Sequence, residues 1–319
     1  MPRKVRVATV ALAGKRGGSV EANRELTMAL LDRACAERPD LVCLPECFPT
    51  VGVEGEPMEL AETVPGPTTD AAAKRAREHR AYIICPLKRR EGKRVYNSAV
   101  VLDREGAVAG IYNKMHPVNT SWKAYRERLA PELERGVTPG REAPVFELDF
   151  GKIGIQICFD LGFDEGWDAL DAGGAELIVW ASAFDGGFHL RARAYRHERY
   201  VVSSVKSFHA AIINPLGEVL ERTGAWRPLV SRTIDLDYLV GYFDWQEKKL
   251  DEAKAKYGEG VSIRVAQEEG HFLVETNRDD LALADLMREF DLRSSREYHE
   301  WHAEALGKTR AREKGGGGS

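Results

Sequence analysis

Hydrophobic residues recur along the chain with two different periods, and the changes between them predict an alternation of strands and helices. Residues 4–12 and 153–157 follow the two-residue period of a strand, whereas residues 20–37 follow the period of an amphipathic helix. Residues 176–180 form a nearly continuous apolar run, which is typical of a strand buried on both faces. Strands alternating with helices indicate an α/β fold.

Some neighbouring strands are joined by short turns, which predicts antiparallel hairpins within the same fold. Residues 95–102 and 107–112 flank a four-residue turn, and residues 149–151 form another turn directly before the strand at 153–157. Helix-connected strands interrupted by hairpins favour one layered domain with mixed sheets.

The last part of the chain differs in composition and suggests three segments. We expect a main domain over residues 1–276, a helical extension over 277–314 and an appended flexible Gly-Ser linker at 315–319. Apolar residues on the mostly charged extension are expected to pack against a partner subunit or the main body. This pattern predicts a homo-oligomer built on dimers.

The overall composition narrows the classes of function. A hydrophobic fraction of 43% and a charged fraction of 30% are typical of an ordinary globular protein, and no stretch is long and apolar enough to cross a bilayer. A net charge of −4 disfavours nucleic-acid binding, because a surface that follows phosphates usually leaves a basic excess. The N-terminal residues run into a predicted strand without a secretory signal, so we expect a cytoplasmic protein.

The cysteines and histidines suggest neither a disulfide framework nor a metal site. The five cysteines have no framework spacing, which predicts free thiols in a reducing compartment. The histidines are scattered, without a second ligand at metal spacing. We therefore expect no metal and no cofactor.

Three reactive side chains follow directly after predicted strands. These residues are Glu46, Lys114 and Cys158. Taken singly, each is a weak signal, because a buried cysteine usually acts as a small hydrophobe and a charged residue after a strand is usually solvated. Ligand sites in α/β folds form where strands end, so the three side chains are expected to converge at one edge of the sheets.

A thiol, an ammonium and a carboxylate at one point make a nucleophilic site. The cation lowers the pKa of the thiol, and the carboxylate takes the thiol proton and later activates water. As the thiol adds to a carbonyl or nitrile carbon, negative charge grows on the oxygen or nitrogen. Lys114 and the backbone N–H of Phe159 are candidates to stabilise that charge.

With the motifs around them, these residues resemble the carbon–nitrogen hydrolase, or nitrilase, superfamily. The resemblance covers about residues 4–240 and implies a four-layer α-β-β-α sandwich. The matching motifs are Leu-Pro-Glu at 44–46, Tyr-x-Lys-x-His at 112–116, Thr-Pro-Gly at 138–140, Gly-Lys-Ile-Gly at 151–154, Ile-Cys-x-Asp at 157–160, Gly-Ala-Glu-Leu-Ile-Val-Trp-Ala-Ser-Ala-Phe at 174–184 and Asn-Pro-Leu-Gly-Glu-Val at 214–219.

The resemblance also implies a role for each reactive residue. Glu46 would be the general base, Lys114 the cation that stabilises the intermediate, and Cys158 the nucleophile that becomes an acyl thioester. The family has a second glutamate ahead of the Pro-Gly turn, which orients the lysine and contacts the leaving amine. Glu134 is the better match for it, and Glu132 is the alternative because the local spacing is shorter by one residue.

The residues after the cysteine narrow the expected substrate. True nitrilases usually read Cys-Trp-Glu, whereas this chain reads Cys158-Phe159-Asp160, so an amide or N-carbamoyl compound is favoured over a nitrile. Carbamoyl-amino-acid hydrolases of the D-specific kind carry arginines just after this Asp, which hold a substrate carboxylate. This chain has Leu161 and Gly162 there, which disfavours that specificity.

Aromatic residues near the motifs are candidates to line a substrate pocket, although core packing is their more usual fate. They are Phe159, Trp180 and Phe184.

The leading hypothesis is a cofactor-independent hydrolase of a linear amide or N-carbamoyl compound, with a thioester acyl-enzyme. Nitrile hydrolysis and acyl transfer to an amine by the same three residues are alternatives. A non-catalytic interaction protein that uses the charged C-terminal segment is a further one.

Overall fold

In the computed structural model, which describes residues 2–315, strands and helices alternate through the first two thirds of the chain. The strands are β1 (Lys4–Val10), β2 (Leu41–Cys43), β3 (Tyr82–Glu91), β4 (Arg94–Leu102), β5 (Val108–Asn113), β6 (Val145–Leu148), β7 (Gly151–Ile157), β8 (Leu177–Ser182), β9 (Tyr200–Val205), β10 (Ala211–Ile213), β11 (Val219–Arg222), β12 (Leu229–Asp235), β13 (Tyr238–Tyr242), β14 (Val261–Ala266) and β15 (His271–Thr276). The helices are α1 (Val20–Cys35), α2 (Pro57–Leu60), α3 (Pro67–His79), α4 (Trp122–Glu127), α5 (Asp164–Ala172), α6 (Gly187–His197), α7 (Glu247–Tyr257), α8 (Leu283–Phe290) and α9 (Ser295–Gly315).

Two six-stranded sheets form the centre of the fold. The first has the order β12-β1-β2-β3-β4-β5 and the second the order β11-β10-β9-β8-β7-β6. In each sheet the inner strands are parallel (β1-β2-β3 and β7-β8-β9), and antiparallel pairs extend it outward, including the hairpins β4-β5 and β6-β7. The predicted mixed sheets and both hairpins are confirmed.

Helices cover the outer face of each sheet. Met28 and Leu31 of α1, with Ala72 of α3, pack into one apolar core with residues of β1 and β2. Trp167 of α5 and Leu190 of α6 pack into a second core with residues of β8 and β9. These two cores and the two sheets give the four layers of the predicted α-β-β-α sandwich.

The inner faces of the two sheets are joined by hydrogen bonds between β1 and β9. The Thr9 hydroxyl donates to the carbonyl of Ser203 (2.5 Å), and the Ser204 hydroxyl donates to the carbonyl of Val10 (2.7 Å). The side chains of Thr9, Ser203 and Ser204 are all buried. The small polar side chains allow close approach of the sheets, because each hydroxyl finds a backbone acceptor.

The chain divides into two compact units. One contains Val5–Ile234 and therefore the two large sheets, and the other contains residues 2–4 with 235–315. The second unit has its own three-stranded antiparallel sheet, in the order β13-β15-β14, and its own apolar core. The boundary expected after residue 276 stays a prediction, and residues 316–319 of the expected linker lie outside the described residues.

None of the helices in residues 2–315 is both long and apolar enough to span a membrane.

The packing of α5 on the second sheet yields a stability prediction. Trp167 is fully buried, and its indole N–H donates to the carbonyl of Asp160 (3.2 Å). Trp167→Ala is expected to lower the free energy of unfolding by about 3–5 kcal/mol, because it leaves a cavity in the core and removes the hydrogen bond from the indole. Urea unfolding followed by circular dichroism measures this change.

Trp226 provides the matched control, because its side chain is 99% exposed. Trp226→Ala is expected to change the same free energy by about 0.5 kcal/mol or less. Equal losses in the two variants would contradict the assignment of Trp167 to the core.

Candidate active site

The structure brings Glu46, Lys114 and Cys158 to one cavity, with a volume of about 400 Å³. Glu46 follows β2, Lys114 follows β5, and Cys158 begins a 3-10 turn at the end of β7. Each residue therefore follows the end of a strand, with Glu46 and Lys114 coming from the first sheet and Cys158 from the second.

Lys114 lies at the centre of the charged groups. Its ammonium Nζ is 3.1 Å from Glu46 Oε1 and 2.6 Å from Glu134 Oε1, and the residue is 1% exposed. Burial disfavours the charged lysine, but the negative groups around it, Glu46 first, outweigh burial and raise the pKa of Lys114 above its ordinary value. The side chain is therefore a permanent cation.

Asn97 of β4 holds the two carboxylates beside that cation. Its Nδ2 donates to Glu46 Oε1 (2.8 Å) and to Glu134 Oε2 (3.0 Å), and its Oδ1 accepts from the thiol of Cys47 (3.1 Å). Sequence reasoning missed Asn97. The available signal was the polar pair Asn97-Ser98 inside a predicted strand, residues 95–102, whose other residues are apolar or aromatic.

The Glu46 carboxyl is ionised at neutral pH. Its burial opposes ionisation, but the charges of Lys114 and Lys206 and the hydrogen bond from Asn97 hold its pKa below the ordinary value. A buried carboxylate next to a thiol is a suitable proton acceptor.

The structure selects Glu134 over Glu132 as the second glutamate near Lys114. The Glu134 backbone has a φ of +41° and donates its N–H to the carbonyl of Val118 (2.8 Å), which turns the side chain inward. The side chain of Glu132 is exposed, and this residue forms hydrogen bonds through its backbone: its N–H donates to Asn119 Oδ1, and its carbonyl accepts from Thr120.

Cys158 occupies a strained turn that projects its thiol into the cavity. Its φ is +49°, in the left-handed region that non-glycine residues rarely adopt. Its carbonyl accepts a hydrogen bond from the indole of Trp180 (3.2 Å). A rigid turn with this geometry holds a nucleophile at the end of a strand.

The thiol of Cys158 is neutral at rest. Burial and the negative charge of Glu46 raise its pKa above the ordinary value, although Lys114 and hydrogen bonds from Ala183 and Ser182 act in the opposite direction. A nucleophilic role for Cys158 would therefore require a base at the moment of attack, and Glu46 is an ionised carboxylate that lines the same cavity.

Asp160 connects the turn of Cys158 to the segment that carries Lys114. Its fully buried carboxylate accepts from the backbone N–H groups of Ile157 (2.9 Å) and His116 (2.9 Å), and from the hydroxyl of Tyr112 (2.7 Å). The ring of His116 is a further partner, with its Nδ1 2.9 Å from Asp160. Sequence reasoning gave Asp160 and Tyr112 no structural role, since their partners are distant in the chain.

The aromatic residues expected to line the pocket lie elsewhere. Trp180 is fully buried in the core between β8 and α6, so the expectation that it contacts substrate is corrected: it supports the Cys158 turn. Phe159 and Phe184 are 41% and 46% exposed, and neither side chain lines the cavity. A role for the backbone N–H of Phe159 stays a prediction.

A larger cavity of about 580 Å³ lies beside β4 and β5, but it contains none of the three reactive residues. Within residues 2–315, no group of three or more His, Cys, Asp or Glu side chains is placed to hold a metal ion.

The charge arrangement predicts how the thiol responds to loss of Glu46. Glu46→Gln is expected to speed the alkylation of Cys158 by iodoacetamide several-fold at neutral pH, because a negative charge that raises the thiol pKa is removed while Lys114 remains. Mass spectrometry of the Cys158 peptide across a pH series measures the rate and the midpoint, which should fall in the variant.

Glu132→Gln is the control, since its exposed side chain lies outside the cavity. It should leave the alkylation rate as in the wild type. Slower alkylation in Glu46→Gln would show that the carboxylate does not oppose formation of the thiolate.

Sequence comparison finds one matching family and several relatives whose sequences are similar to this chain. The family described as carbon-nitrogen hydrolase matches residues 6–242. Omega-amidase NIT2 of Danio rerio is 27% identical over 229 residues, which cover 66% of this chain and 82% of that protein. The nitrilase and fragile histidine triad fusion protein NitFhit of Drosophila melanogaster is 32% identical over 240 residues, which cover 68% of this chain and 51% of the fusion protein.

Solved structures share the fold. Nit3 of Saccharomyces cerevisiae, a member of branch 10 of the nitrilase superfamily, superposes with a TM-score of 0.61 at 21% identity, over 73% of this chain and 90% of Nit3. The C. elegans NitFhit protein gives a TM-score of 0.64 at 16% identity, over 90% of this chain and 97% of that one. At these identities the likeness concerns the fold.

Proposed function

The chain belongs to the carbon–nitrogen hydrolase family, and we propose that it hydrolyses a linear amide or N-carbamoyl compound through a thioester formed on Cys158. The observation that carries this proposal is the contact of the Lys114 ammonium with both Glu46 and Glu134, in the cavity that Cys158 lines. The names of the omega-amidase relatives support an amide as the substrate.

In the first half of the reaction the thiol adds to the carbonyl carbon. Glu46 takes the thiol proton as the S–C bond forms, and the electron pair of the C=O bond moves to the oxygen. The Lys114 ammonium stabilises this negative oxygen, assisted by the backbone N–H of Phe159. The tetrahedral intermediate is then bound covalently to Cys158.

Collapse of the intermediate breaks the C–N bond. The oxygen lone pair re-forms the carbonyl, and the leaving nitrogen takes the proton that Glu46 received, so ammonia or an amine departs and a thioester remains. Glu134, which contacts Lys114 at 2.6 Å, orients that cation and faces the leaving amine.

In the second half, water releases the acid. Glu46, again a carboxylate, takes a proton from water as the water oxygen adds to the thioester carbon. The second intermediate expels the sulfur, which regains a proton from Glu46. The overall reaction converts one amide and one water into one acid and one amine or ammonia.

The alternatives differ in which molecule enters or leaves. Nitrile hydrolysis is less favoured, since Phe159-Asp160 follows the cysteine in place of the Trp-Glu of true nitrilases. Acyl transfer to an amine uses the same thioester, and added amine acceptors would yield substituted amides in place of acid. A non-catalytic role is less favoured, because three reactive side chains share one cavity.

We also propose a compartment and an oligomeric state for the protein. All five cysteines are unpaired, which supports a reducing, cytoplasmic compartment. Trp301 and Leu306 of α9 are 58% and 50% exposed, which supports a homo-oligomer that uses the C-terminal helices.

Removal of the thiol is the direct test of the proposed function. Cys158→Ala is expected to abolish ammonia release from a panel of amides and N-carbamoyl compounds, a loss of at least about 10³-fold, because the residual site has no nucleophile. Coupled assay of ammonia measures this loss, and circular dichroism checks that the fold is retained.

Cys35→Ala is the matched control, since Cys35 is a buried cysteine of α1 in the apolar core. It should keep wild-type turnover. Full activity in Cys158→Ala would exclude the thioester route.

A further inference from the structure

The two carboxylates beside Lys114 differ in how their oxygens are bonded. Glu46 Oε1 accepts hydrogen bonds from Lys114 Nζ (3.1 Å) and from Asn97 Nδ2 (2.8 Å). Within residues 2–315, no hydrogen bond reaches Glu46 Oε2, and the ammonium of Lys206 lies 3.8 Å from it. One oxygen of this carboxylate is therefore fixed by two donors, and the other keeps its lone pairs available for a proton.

Both oxygens of Glu134 are already bonded. Its Oε1 accepts from Lys114 Nζ (2.6 Å) and from the backbone N–H of Val118 (3.3 Å), and its Oε2 accepts from Asn97 Nδ2 (3.0 Å). A proton added to this carboxylate would weaken hydrogen bonds that favour the ionised form. Glu134 is therefore the poorer proton acceptor of the two, although both carboxylates bind the same ammonium.

Asn97 is the residue that bonds to one oxygen of each carboxylate. Its planar amide has two N–H groups, which donate in different directions to Glu46 Oε1 and Glu134 Oε2. Its backbone carbonyl accepts from the backbone N–H of Lys114 (2.8 Å), and its side chain is buried. Asn97 therefore fixes both carboxylates relative to the lysine that lies between them.

The amide of Asn97 has one stable orientation. The thiol of Cys47 donates to Asn97 Oδ1 (3.1 Å). Burial and the charge of Glu46 raise the pKa of Cys47 to about 12, so this thiol stays a donor at neutral pH. A reversed amide would place Oδ1 against two carboxylates, which would repel it. Both N–H groups of the amide are therefore held towards the carboxylates.

We propose that Asn97 is a positioning residue that directs proton transfer to Oε2 of Glu46. This inference rests on the proposed amide hydrolysis and names the atom that carries the proton. Because Oε1 is bonded to Lys114 and Asn97, the proton of the Cys158 thiol passes to Oε2 as the S–C bond forms. It passes from Oε2 to the leaving nitrogen as the C–N bond breaks. Glu134 takes no proton and holds the ammonium in place.

The pH dependence of turnover in Asn97→Leu tests this role. Leucine is similar in size but has no donor, so the Glu46 carboxylate is free to rotate and loses a hydrogen bond that favours its ionised form. With the amide that wild type hydrolyses fastest, kcat at the pH plateau is expected to fall by about 10–100-fold. Lys114 and Lys206 remain, so Glu46 still ionises, but the acidic limb of kcat/KM should move up by about one pH unit.

Ser98→Ala is the matched control. The Ser98 hydroxyl donates to Asn113 Oδ1 (2.7 Å), so this variant removes a buried hydrogen bond from the neighbouring residue of β4, outside the cavity lining. It should keep kcat and the acidic limb at their wild-type values. Asn97→Ala repeats the test if circular dichroism shows that leucine disturbs the fold.

Two kinetic results would overturn the proposal. One is a wild-type kcat with an unmoved acidic limb in a folded Asn97 variant. The other is an equal shift in Ser98→Ala, because the effect would then follow from packing of the strand.

Thiol reactivity separates this inference from the proposed hydrolysis, because it needs no amide substrate. Glu46 and Cys158 influence each other's ionisation, so modification of Cys158 by dipyridyl disulfide should become faster with pH in two steps. Mass spectrometry of the Cys158 peptide measures the rate. The lower step should move to higher pH in Asn97→Leu, stay in place in Ser98→Ala and be absent from Glu46→Gln.

The two proposals then fail in different ways. A shifted lower step without turnover of any amide would support the positioning of Glu46 by Asn97 and contradict the proposed hydrolysis. A lower step that keeps its wild-type pH in folded Asn97→Leu would overturn the positioning whatever the turnover.

Discussion

A buried ammonium that requires carboxylate partners determines the geometry of the candidate site. Lys114 is 1% exposed, and an unpaired charge at such a position costs several kcal/mol. Glu46 and Glu134 come from separate segments and would repel each other without a shared cation. Lys114 and Asn97 both contact both carboxylates, so the four side chains are stable only as a unit. Glu46 is thereby held in the same cavity as the thiol of Cys158.

The same cluster determines the protonation states of Glu46 and Cys158. Positive neighbours keep Glu46 ionised, while burial and the Glu46 charge keep the Cys158 thiol neutral. In the proposed mechanism, Cys158 therefore transfers its proton to Glu46 as the sulfur bonds to the substrate carbon. Asp160 connects this chemistry to the fold, because its carboxylate binds both the turn of Cys158 and the segment after Lys114. The alignment of the two sheets therefore determines how Cys158 and Lys114 lie relative to each other.

Local sequence was sufficient to predict the layered fold and the three strand-end residues, because strand period and turn residues act over a few positions. The contacts that complete the site were not predictable in this way. Asn97 and Glu46 are 51 positions apart, and Asp160 and Tyr112 are 48 apart, so no local pattern links them. The choice of Glu134 over Glu132 depends on a backbone turn with positive φ. Trp180 lies in a continuous apolar run, and its burial follows the core packing that such a run favours.

In the proposed reaction, Cys158 carries the acyl group after the C–N bond is broken. Rapid quenching of the wild-type enzyme with an amide substrate, followed by intact-protein and peptide mass spectrometry, measures this directly. We expect a transient mass increase equal to the acyl group, located on the Cys158 peptide and formed no later than ammonia. Release of ammonia without a covalent adduct, or an adduct on another residue, would contradict it.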